Sequence, residues 1–404
     1  MKLLITKEEI IKGLQKAASL TSQKTGTTFL KAVWLKWGDN RLNIMATDSK
    51  MEFIGSYEAQ TTGNCLVGIN GRSFYELVKK LPPGEITLKY SLEETEEERK
   101  EILLLEQGPK KYKILTYDSS WFRDFVPFPE NNFIKWHGDE FKELINRLYY
   151  FTSDELDSIT RYMTLRRHYE EDDTIAAFAI LTQSFALKTF KHDELYEILD
   201  EEGYLIDKTF LSELKKWLNS NEIYIAIQNN RFFIKDLENN ENISFPLVKK
   251  KSIDYQEYLE PFNKETINRL IVNKNELKEA LERIYIFASD MDEIVKFIFN
   301  ENELVIYCES HDKGEATESL IVDYQGDIDE VVFMVKSLRD IIDHFHSENI
   351  EFQFVDKEKP CKIVGLDDLD KGYLIITVTI KVKEEYYYED EIEENYNGEY
   401  DEYK

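Results

Sequence analysis

An amphipathic segment occurs three times along this chain, and this recurrence strongly constrains the fold. The three copies are "KEEIIKGLQKAAS" (7–19), "DEFKELINRLYYFTS" (139–153) and "KNELKEALERIYIFAS" (274–289). Their apolar residues follow the i, i+3, i+4, i+7 spacing of a helix with one buried face. They lie roughly 130 residues apart, the length of one ordinary domain. This period predicts one domain for each copy.

Two further markers keep the same order in each copy. A second helical segment follows, in "GRSFYELVKKLPPGEITL" (71–88), "DKTFLSELKKWLNSNEIYI" (207–225) and "VFMVKSLRDIIDHFHSENIEF" (332–352). Between the two helices lies a strand with a turn, as in "LNIMATDSKMEF" (42–53). The remaining segments are short, alternating and rich in β-branched and aromatic residues, which is typical of strands. We therefore predict an α+β fold of three tandem domains, near 1–130, 131–262 and 263–381, each with two helices against antiparallel sheets.

The charge of the chain is unevenly distributed. Lysine and arginine number 51 and aspartate and glutamate 79, a formal net charge of −28, which repels nucleic acid on average. The six repeated helices and their flanking positions carry sixteen basic and thirteen acidic residues, a net charge of +3. One interpretation is that these are ordinary solvated helix faces. The other is a basic surface, lined by six helices, that contacts phosphates without reading bases.

Sequence signatures of catalysis are missing. The chain has no glycine-rich phosphate loop and no GxSxG motif. His344 and His346 are two residues apart, which does not place them on one helix face as metal ligands. We therefore expect no catalytic residue, no metal and no cofactor. The longest apolar run, "YLIITVTI", is far shorter than a membrane span, and three distant cysteines suit a reducing compartment, so we expect a soluble, cytoplasmic protein.

Several motifs resemble one family over residues 1 to about 380. "IMATDSKMEF", "GRSFYELVKKLPPGEITL", "DFVPFPE", "VFMVKSLRDIIDHF" and "GYLIITVTI" are similar to segments of the bacterial DNA polymerase III β subunit, the sliding clamp. The resemblance implies a homodimer closed head to tail into a ring of six domains. The ring would encircle duplex DNA without sequence specificity and tether the replicative polymerase as a non-catalytic processivity factor. The basic residues expected to face DNA are Lys12, Lys16, Lys24, Arg72, Lys79, Lys80, Arg147, Lys208, Lys215, Lys216, Lys274, Lys278, Arg283, Lys336 and Arg339.

The resemblance also implies two protein-binding surfaces. The DNA polymerase and the clamp loader would insert a short peptide between domains 2 and 3. Gln183, Phe185 and Ala186 stand where the family has an acidic and two basic residues, so a different peptide is expected. The matching pocket residues are Thr182, Leu187, Tyr258, Pro360, Leu374, Ile375, Ile376 and Val378. The residues that match the dimer contact are Tyr112, Ile114, Ile286 and Phe287.

A tail, residues 382–404, extends beyond the resemblance. It carries ten acidic residues, two basic residues and six tyrosines, and few aliphatic residues, which predicts disorder. It is expected either to act as a solubilising tail or to cover the peptide pocket or recruit a basic partner. The altered pocket also keeps a second function open, an acidic interaction protein of clamp fold that binds or sequesters clamp partners without encircling DNA.

Overall fold

Three groups of elements follow one another along the chain, joined by the connections 118–132 and 247–267. The computed structural model describes residues 1–21, 27–94, 99–156, 158–168, 173–200, 202–248, 250–263, 267–288 and 293–381. We call the three groups domains 1, 2 and 3. Domain 1 contains β1 (Lys2–Thr6), α1 (Lys7–Leu20), β2 (Ala32–Gly38), β3 (Arg41–Thr47), β4 (Glu52–Glu58), β5 (Gln60–Thr62), β6 (Cys65–Asn70), α2 (Gly71–Lys80), β7 (Glu85–Glu94), β8 (Arg99–Gln107) and β9 (Lys110–Tyr117).

Domain 2 repeats this order, except that a short helix stands where domain 1 has the short strand β5. A further short helix, α6, lies in the connection to domain 3. The elements are β10 (Phe133–His137), α3 (Gly138–Tyr149), β11 (Tyr162–Arg167), β12 (Thr174–Leu181), β13 (Ser184–Lys191), α4 (Asp193–Ile198), β14 (Tyr204–Asp207), α5 (Lys208–Trp217), β15 (Glu222–Gln228), β16 (Arg231–Asp236), β17 (Glu241–Pro246) and α6 (Gln256–Leu259).

Domain 3 again begins with a strand that leads into a long helix. Both helices start where the repeated sequence segments predict them. The elements are β18 (Asn268–Asn273), α7 (Lys274–Tyr285), β19 (Ile294–Asn300), β20 (Glu303–Ser310), β21 (Gly314–Ile321), β22 (Asp323–Gln325), β23 (Glu330–Met334), α8 (Val335–Ile342), β24 (Asn349–Phe354), β25 (Cys361–Gly365) and β26 (Tyr373–Thr377).

Local side chains fix the starts of several helices. The Asn70 carboxamide accepts a hydrogen bond from the Ser73 amide at 3.0 Å at the start of α2. The Asp207 carboxylate does the same for the Thr209 amide, at 2.8 Å, at the start of α5. Such caps satisfy amides that have no partner within the helix. Three of the repeated segments, those of α2, α5 and α7, therefore carry their own start signals.

The sheets run across both domain boundaries. Each domain holds two groups of strands. One group of domain 1 pairs with one group of domain 2, and the other group of domain 2 pairs with one group of domain 3. Strand β4 of domain 1 pairs antiparallel with β17 of domain 2, with Phe53 opposite Ile243. Strand β13 of domain 2 pairs in the same way with β26 of domain 3, with Ala186 opposite Ile375. The sheets thus have 13, 9 and 4 strands, and the last has the order β21-β20-β19-β23.

The main core lies between the strands and the helices. The apolar faces predicted for the repeated helices are buried, as in α5, where Leu211 and Leu214 are both fully buried. Strands alternate as expected, with Val295 and Phe297 of β19 pointing into the core. The architecture is therefore the predicted one, α+β with antiparallel sheets and a pair of helices in each domain.

The helices and the cysteines of the described ranges have two further properties. No helix in them is long and apolar enough to cross a membrane. The three cysteines, Cys65, Cys308 and Cys361, are buried free thiols.

Candidate nucleic-acid interface

The repeated helices pack in pairs, and the pairs of neighbouring domains lie side by side. Helices α1 and α2, α3 and α5, and α7 and α8 are the three pairs. Between domains 1 and 2, the Lys16 ammonium lies 4.9 Å from the centre of the Trp217 ring. Between domains 2 and 3, the rings of Tyr150 and His344 are 5.2 Å apart. We call the solvent-facing sides of these six helices the helix surface.

Five of the cations predicted to face DNA are exposed on their helices and make no ion pair within the described part of the chain. The ammonium of one of them, Lys79, lies 5.5 Å from the Tyr75 ring, so part of its stem covers apolar surface. Exposed cations on helices can move to meet a phosphate without breaking internal contacts. These five cations are Lys12, Arg72, Lys79, Lys80 and Lys336, whereas Lys216 and Arg283 are exposed but paired.

Most of the other cations are engaged by the chain's own groups. Lys278 contacts Asp343 at 2.6 Å, and this hydrogen bond raises the pKa of Lys278. Arg283 makes two hydrogen bonds to Glu318, at 2.8 and 2.7 Å. These contacts weaken the positive field of the helix surface. The remaining engaged cations are Lys16 with Glu241, Lys208 with Asp154, Lys216 with Glu213, Arg339 with Asp340, Lys274 with the Phe345 carbonyl and Lys215 with the Tyr149 ring.

Arg147 does not face solvent, so its prediction as a DNA contact is wrong. Its side chain is 6% exposed and lies 2.6 Å from Asp370, whose side chain is fully buried. The guanidinium also donates to the Leu369 carbonyl at 3.0 Å. The sequence could not reveal this role, because Asp370 comes from a distant part of the chain. The predicted contact Lys24 lies outside the described residues.

The predicted peptide pocket is covered by the chain's own aromatic residues. Tyr255 and Phe262, from the connection between domains 2 and 3, form a buried cluster with Leu187 and Ile376. The rings of Phe185 and Tyr258 stack at 4.9 Å with an angle of 12° between their planes. The apolar ring of Phe185 offers a face on which the Tyr258 ring packs.

The other predicted pocket residues divide into two groups. Thr182 and Pro360 are exposed, and Tyr258, Leu374 and Val378 are half-buried around the aromatic cluster. Ile375 is fully buried in the main core, so its prediction as a pocket residue is wrong. Successive side chains of a strand point to opposite faces, which sends Ile375 away from Leu374 and Ile376.

Within the described residues, two groups of strands pair with no group of another domain, and their edges carry the predicted dimer contact. These groups are β9-β8-β7-β1-β5 in domain 1 and β21-β20-β19-β23 in domain 3. In domain 1 the edge is the part of β9 before Thr116, because β9 pairs with β6 at Thr116 and Tyr117. Tyr112 and Ile114 on this edge are half-buried against the core. In domain 3 the edge is β21, which pairs only with β20. Ile286, just after α7, is 68% exposed, whereas Phe287 is half-buried.

The sequence analysis missed two exposed apolar residues on these edges. Leu115 of β9 is 75% exposed and Ile321 of β21 is 88% exposed. The alternation in "KYKILTY" could have identified Leu115, because it places this side chain on the face opposite to Ile114. The outward-facing residues Lys111 and Lys113 are also on β9, whereas Glu315 is on β21, so the two edges have opposite charge.

Comparisons with known proteins agree with this arrangement. Residues 1–120 match the model of the DNA polymerase III beta subunit, N-terminal domain, and residues 261–379 match that of its C-terminal domain. The beta sliding clamp of Caulobacter vibrioides is 21% identical over 392 residues, which cover 95% of this chain and all of that protein. The beta sliding clamp of Haemophilus influenzae is 22% identical over 387 residues, 94% of this chain and all of that protein.

Solved structures share the whole fold. The DNA polymerase III subunit beta from Pseudomonas aeruginosa superposes with a TM-score of 0.82 at 18% identity, over 95% of this chain and all of that one. The beta subunit from Thermotoga maritima gives 0.78 at 22% identity, with the same coverage. The two family models together match more than half of the chain and leave domain 2 between them. The chain therefore belongs to the DNA polymerase III beta subunit family.

Proposed function

We propose that this chain is the subunit of a DNA sliding clamp, a non-catalytic ring in the cytoplasm that encircles duplex DNA and tethers the replicative polymerase. The observation that carries the proposal is the sheet topology. Domains 1 and 2 join through β4 and β17, and domains 2 and 3 through β13 and β26. In the threefold repeat, β21 is the counterpart of β4 and β13, and β9 is the counterpart of β17 and β26.

The same pairing between β21 of one copy and β9 of the next would continue the sheet and remove both free edges. Such a contact is heterologous, so repetition closes a ring when the rotation fits. Opposite charges on the two edges favour this pairing over contact of like edges. Two copies with three domains each would form a ring of six domains, with twelve repeated helices around its hole.

The helix surface suits a ring that moves along DNA. Its exposed lysines and arginines supply attraction to phosphates, and this attraction carries no sequence information. The formal charge of −28 for the chain as a whole discourages DNA from binding elsewhere on the molecule. Enclosure would then hold the DNA, and the cations would need to supply only modest affinity.

Partner proteins would bind at the aromatic cluster between domains 2 and 3. Half-buried Leu374 packs against the cluster that contains the Phe185–Tyr258 stack. Exposed Thr182 and Pro360 and half-buried Val378 would form the rim of the binding surface. A polymerase or clamp-loader peptide would contact this rim, and apolar side chains would have to displace Tyr258 to reach Phe185. The surface therefore favours a peptide with an aromatic or aliphatic anchor.

The decisive experiment measures the mass in solution and the retention on circular and on linear DNA after loading. A closed oligomer retained on the circle, but lost from the ends of the linear molecule, would establish enclosure. The competing function, partner binding without encirclement, is favoured by the many cations that pair with the chain's own acidic residues. A monomer, or equal loss from both DNAs, would establish that function instead.

A further inference from the structure

A cavity lies where the second half of β13 passes the start of α3, at the boundary between domains 2 and 3. Its volume is about 600 Å³, and Leu369 of domain 3 contributes to its lining. We call it the strand-end cavity. It is separate from the aromatic cluster of the proposed peptide surface. Phe185 and Leu187 of β13 pack in that cluster, whereas Lys188 and Phe190, on the opposite face of the strand, line the cavity.

Part of the lining of the strand-end cavity is aromatic and apolar. The rings of Trp136 and Phe190 are 5.8 Å apart with an angle of 20° between their planes. The ring of His192 meets Trp136 edge-on at 5.4 Å. Leu144 of α3 is a buried part of the lining, and Leu369 is 66% exposed. An exposed leucine beside aromatic rings gives an apolar side chain of a ligand a surface on which to pack.

The acidic residues of the lining are all on α3, and two of them are already engaged. The Glu140 carboxylate accepts a hydrogen bond from the Trp136 indole at 2.8 Å. Glu143 pairs with Arg147 at 2.9 Å. The third, Asp139, is exposed at the start of the helix and has no cationic partner among the described residues. Asp139 would repel a ligand that brings a run of acidic residues, so the lining favours a ligand with a single carboxylate.

The two lysines of the lining, Lys188 and Lys191, are on β13 and have no carboxylate partner within the described part of the chain. The half-buried Lys188 ammonium donates a hydrogen bond to a backbone carbonyl of domain 3. Burial and the neighbouring Arg147 guanidinium lower the pKa of Lys188. The carboxylates of Asp370 and Glu143, which pair with Arg147, offset only part of this effect. A carboxylate on a ligand would therefore supply the counter-ion that Lys188 lacks.

We propose that the strand-end cavity binds a peptide segment of a partner protein in which an apolar side chain stands next to a single aspartate or glutamate. The apolar side chain would pack against the aromatic rings and Leu369, and the carboxylate would pair with Lys188 and Lys191. The chain's own tail, residues 382–404, fits poorly, because its ten acidic residues would be repelled by Asp139. The proposal goes beyond the proposed function, because it requires neither enclosure of DNA nor the aromatic cluster.

The site can be tested on the full chain by fluorescence anisotropy of short labelled peptides. The probe is Gly-Ser-Phe-Asp-Ser-Gly, and two matched peptides replace its aspartate by asparagine or its phenylalanine by serine. The unsubstituted chain should bind the probe saturably. It should bind each matched peptide about tenfold more weakly, because one loses the charged partner of the lysines and the other loses the apolar anchor.

Two variants assign the binding to the strand-end cavity. Lys188→Gln/Lys191→Gln should bind the aspartate and asparagine peptides equally, about tenfold more weakly than the unsubstituted chain binds the probe. Glutamine at position 188 can still donate to the backbone carbonyl, which preserves the boundary. Leu369→Glu places a negative charge beside the ligand carboxylate and should weaken binding of the probe. Leu366→Glu is its matched control, because it makes the same change at an exposed leucine outside the lining, and it should leave binding unchanged.

The proposal is overturned if the probe does not bind saturably, if the lysine variant binds it undiminished, or if Leu366→Glu loses as much affinity as Leu369→Glu. Loss of binding in Val378→Glu, at the rim of the aromatic cluster, would place the peptide at that cluster instead. Displacement of the probe by a synthetic peptide of residues 382–404 would identify the chain's own tail as the occupant. Retention on circular DNA measures the proposed function separately.

Discussion

Glu241, the first residue of β17, forms an ion pair with Lys16 of α1 across the boundary between domains 1 and 2. The carboxylate is almost fully buried and also accepts a hydrogen bond from Tyr57 at 2.8 Å. Burial and the adjacent Glu241 raise the pKa of Tyr57, so its hydroxyl stays protonated and keeps donating. A buried charge of this kind is tolerated because it is paired and hydrogen-bonded.

The boundary between domains 2 and 3 contains an equivalent buried ion pair. Lys16 and Arg147 are each the tenth residue of the first helix of their domain, and Arg147 pairs with buried Asp370 just before β26. The tenth residue of α7 is Arg283, which pairs with Glu318 of its own domain. The equivalent cation of domain 3 is therefore paired within its own domain.

Arg147→Met should destabilise the chain by about 3 to 5 kcal/mol, because Asp370 would remain buried without its cation. Hydrogen bonds from Ser347 and Arg147 outweigh burial and lower the pKa of Asp370, so it is a carboxylate at neutral pH. Urea unfolding at pH 7 measures the loss. Arg72→Met, an exposed change on α2, should cost no more than about 0.5 kcal/mol.

The double variant Arg147→Met/Asp370→Asn tests whether the unpaired Asp370 carboxylate causes this loss of stability. With the charge removed from both partners, part of the stability should return. Equal losses in the single and double variants would mean that packing of Arg147 on the Tyr373 ring, 4.7 Å away, carries the effect.

The sequence predicted the elements well and the boundary contacts poorly, for a physical reason. The spacing of apolar residues along a helical segment identifies its buried face. The buried faces of α1, α5 and α7 could therefore be predicted from neighbouring residues. Arg147 has the same local context as its exposed neighbours, and its partner Asp370 is 223 residues away. Ile375 shows a second limit, because an apolar run buried on both faces hides which face each residue takes.

Tyr258→Ala should expose the Phe185 ring and increase the binding of an environment-sensitive apolar dye such as anilinonaphthalene sulfonate. The two rings stack at 4.9 Å, and the short helix α6 carries Tyr258. Tyr258→Phe keeps the ring and should behave like the unsubstituted chain. Dye binding that does not rise in the alanine variant would mean that other side chains close over Phe185.

The boundary between domains 2 and 3 should weaken as the pH falls from 7 to 5. His344 lies between the rings of Tyr150 and Phe151, and burial lowers its pKa. Asp343 and Asp340 raise this pKa, whereas Lys215 and Arg147 lower it. The unfolded chain binds a proton near pH 6.5 but the folded chain does not, so stability falls below that pH.

Urea unfolding at several pH values between 5 and 7 measures the slope. His344→Phe removes the titrating group and should flatten the slope, whereas His311→Gln, in the exposed turn after β20, should leave it intact. Asp370 titrates below its ordinary range and cannot produce a slope in this window. A slope that survives in His344→Phe would assign the effect to another group.

Charge reversal at the two free edges tests ring closure. Lys111→Glu/Lys113→Glu makes β9 acidic, and Glu315→Lys/Thr317→Lys makes β21 basic, in each case at exposed, outward-facing positions. Either variant alone would place like charges across both contacts of a closed dimer, at a cost of several kcal/mol. Each should therefore sediment as a monomer at concentrations where the unsubstituted chain forms dimers.

An equal mixture of the two variants should form dimers again, because both contacts of a mixed ring then join opposite charges. The acidic β9 of one variant meets the basic β21 of the other, and the unchanged β9 meets the unchanged β21. Lys36→Glu/Lys50→Glu makes the same change of charge away from the edges and should leave self-association intact. A mixture that stays monomeric, or single variants that still form dimers, would show that the subunits do not join through β9 and β21.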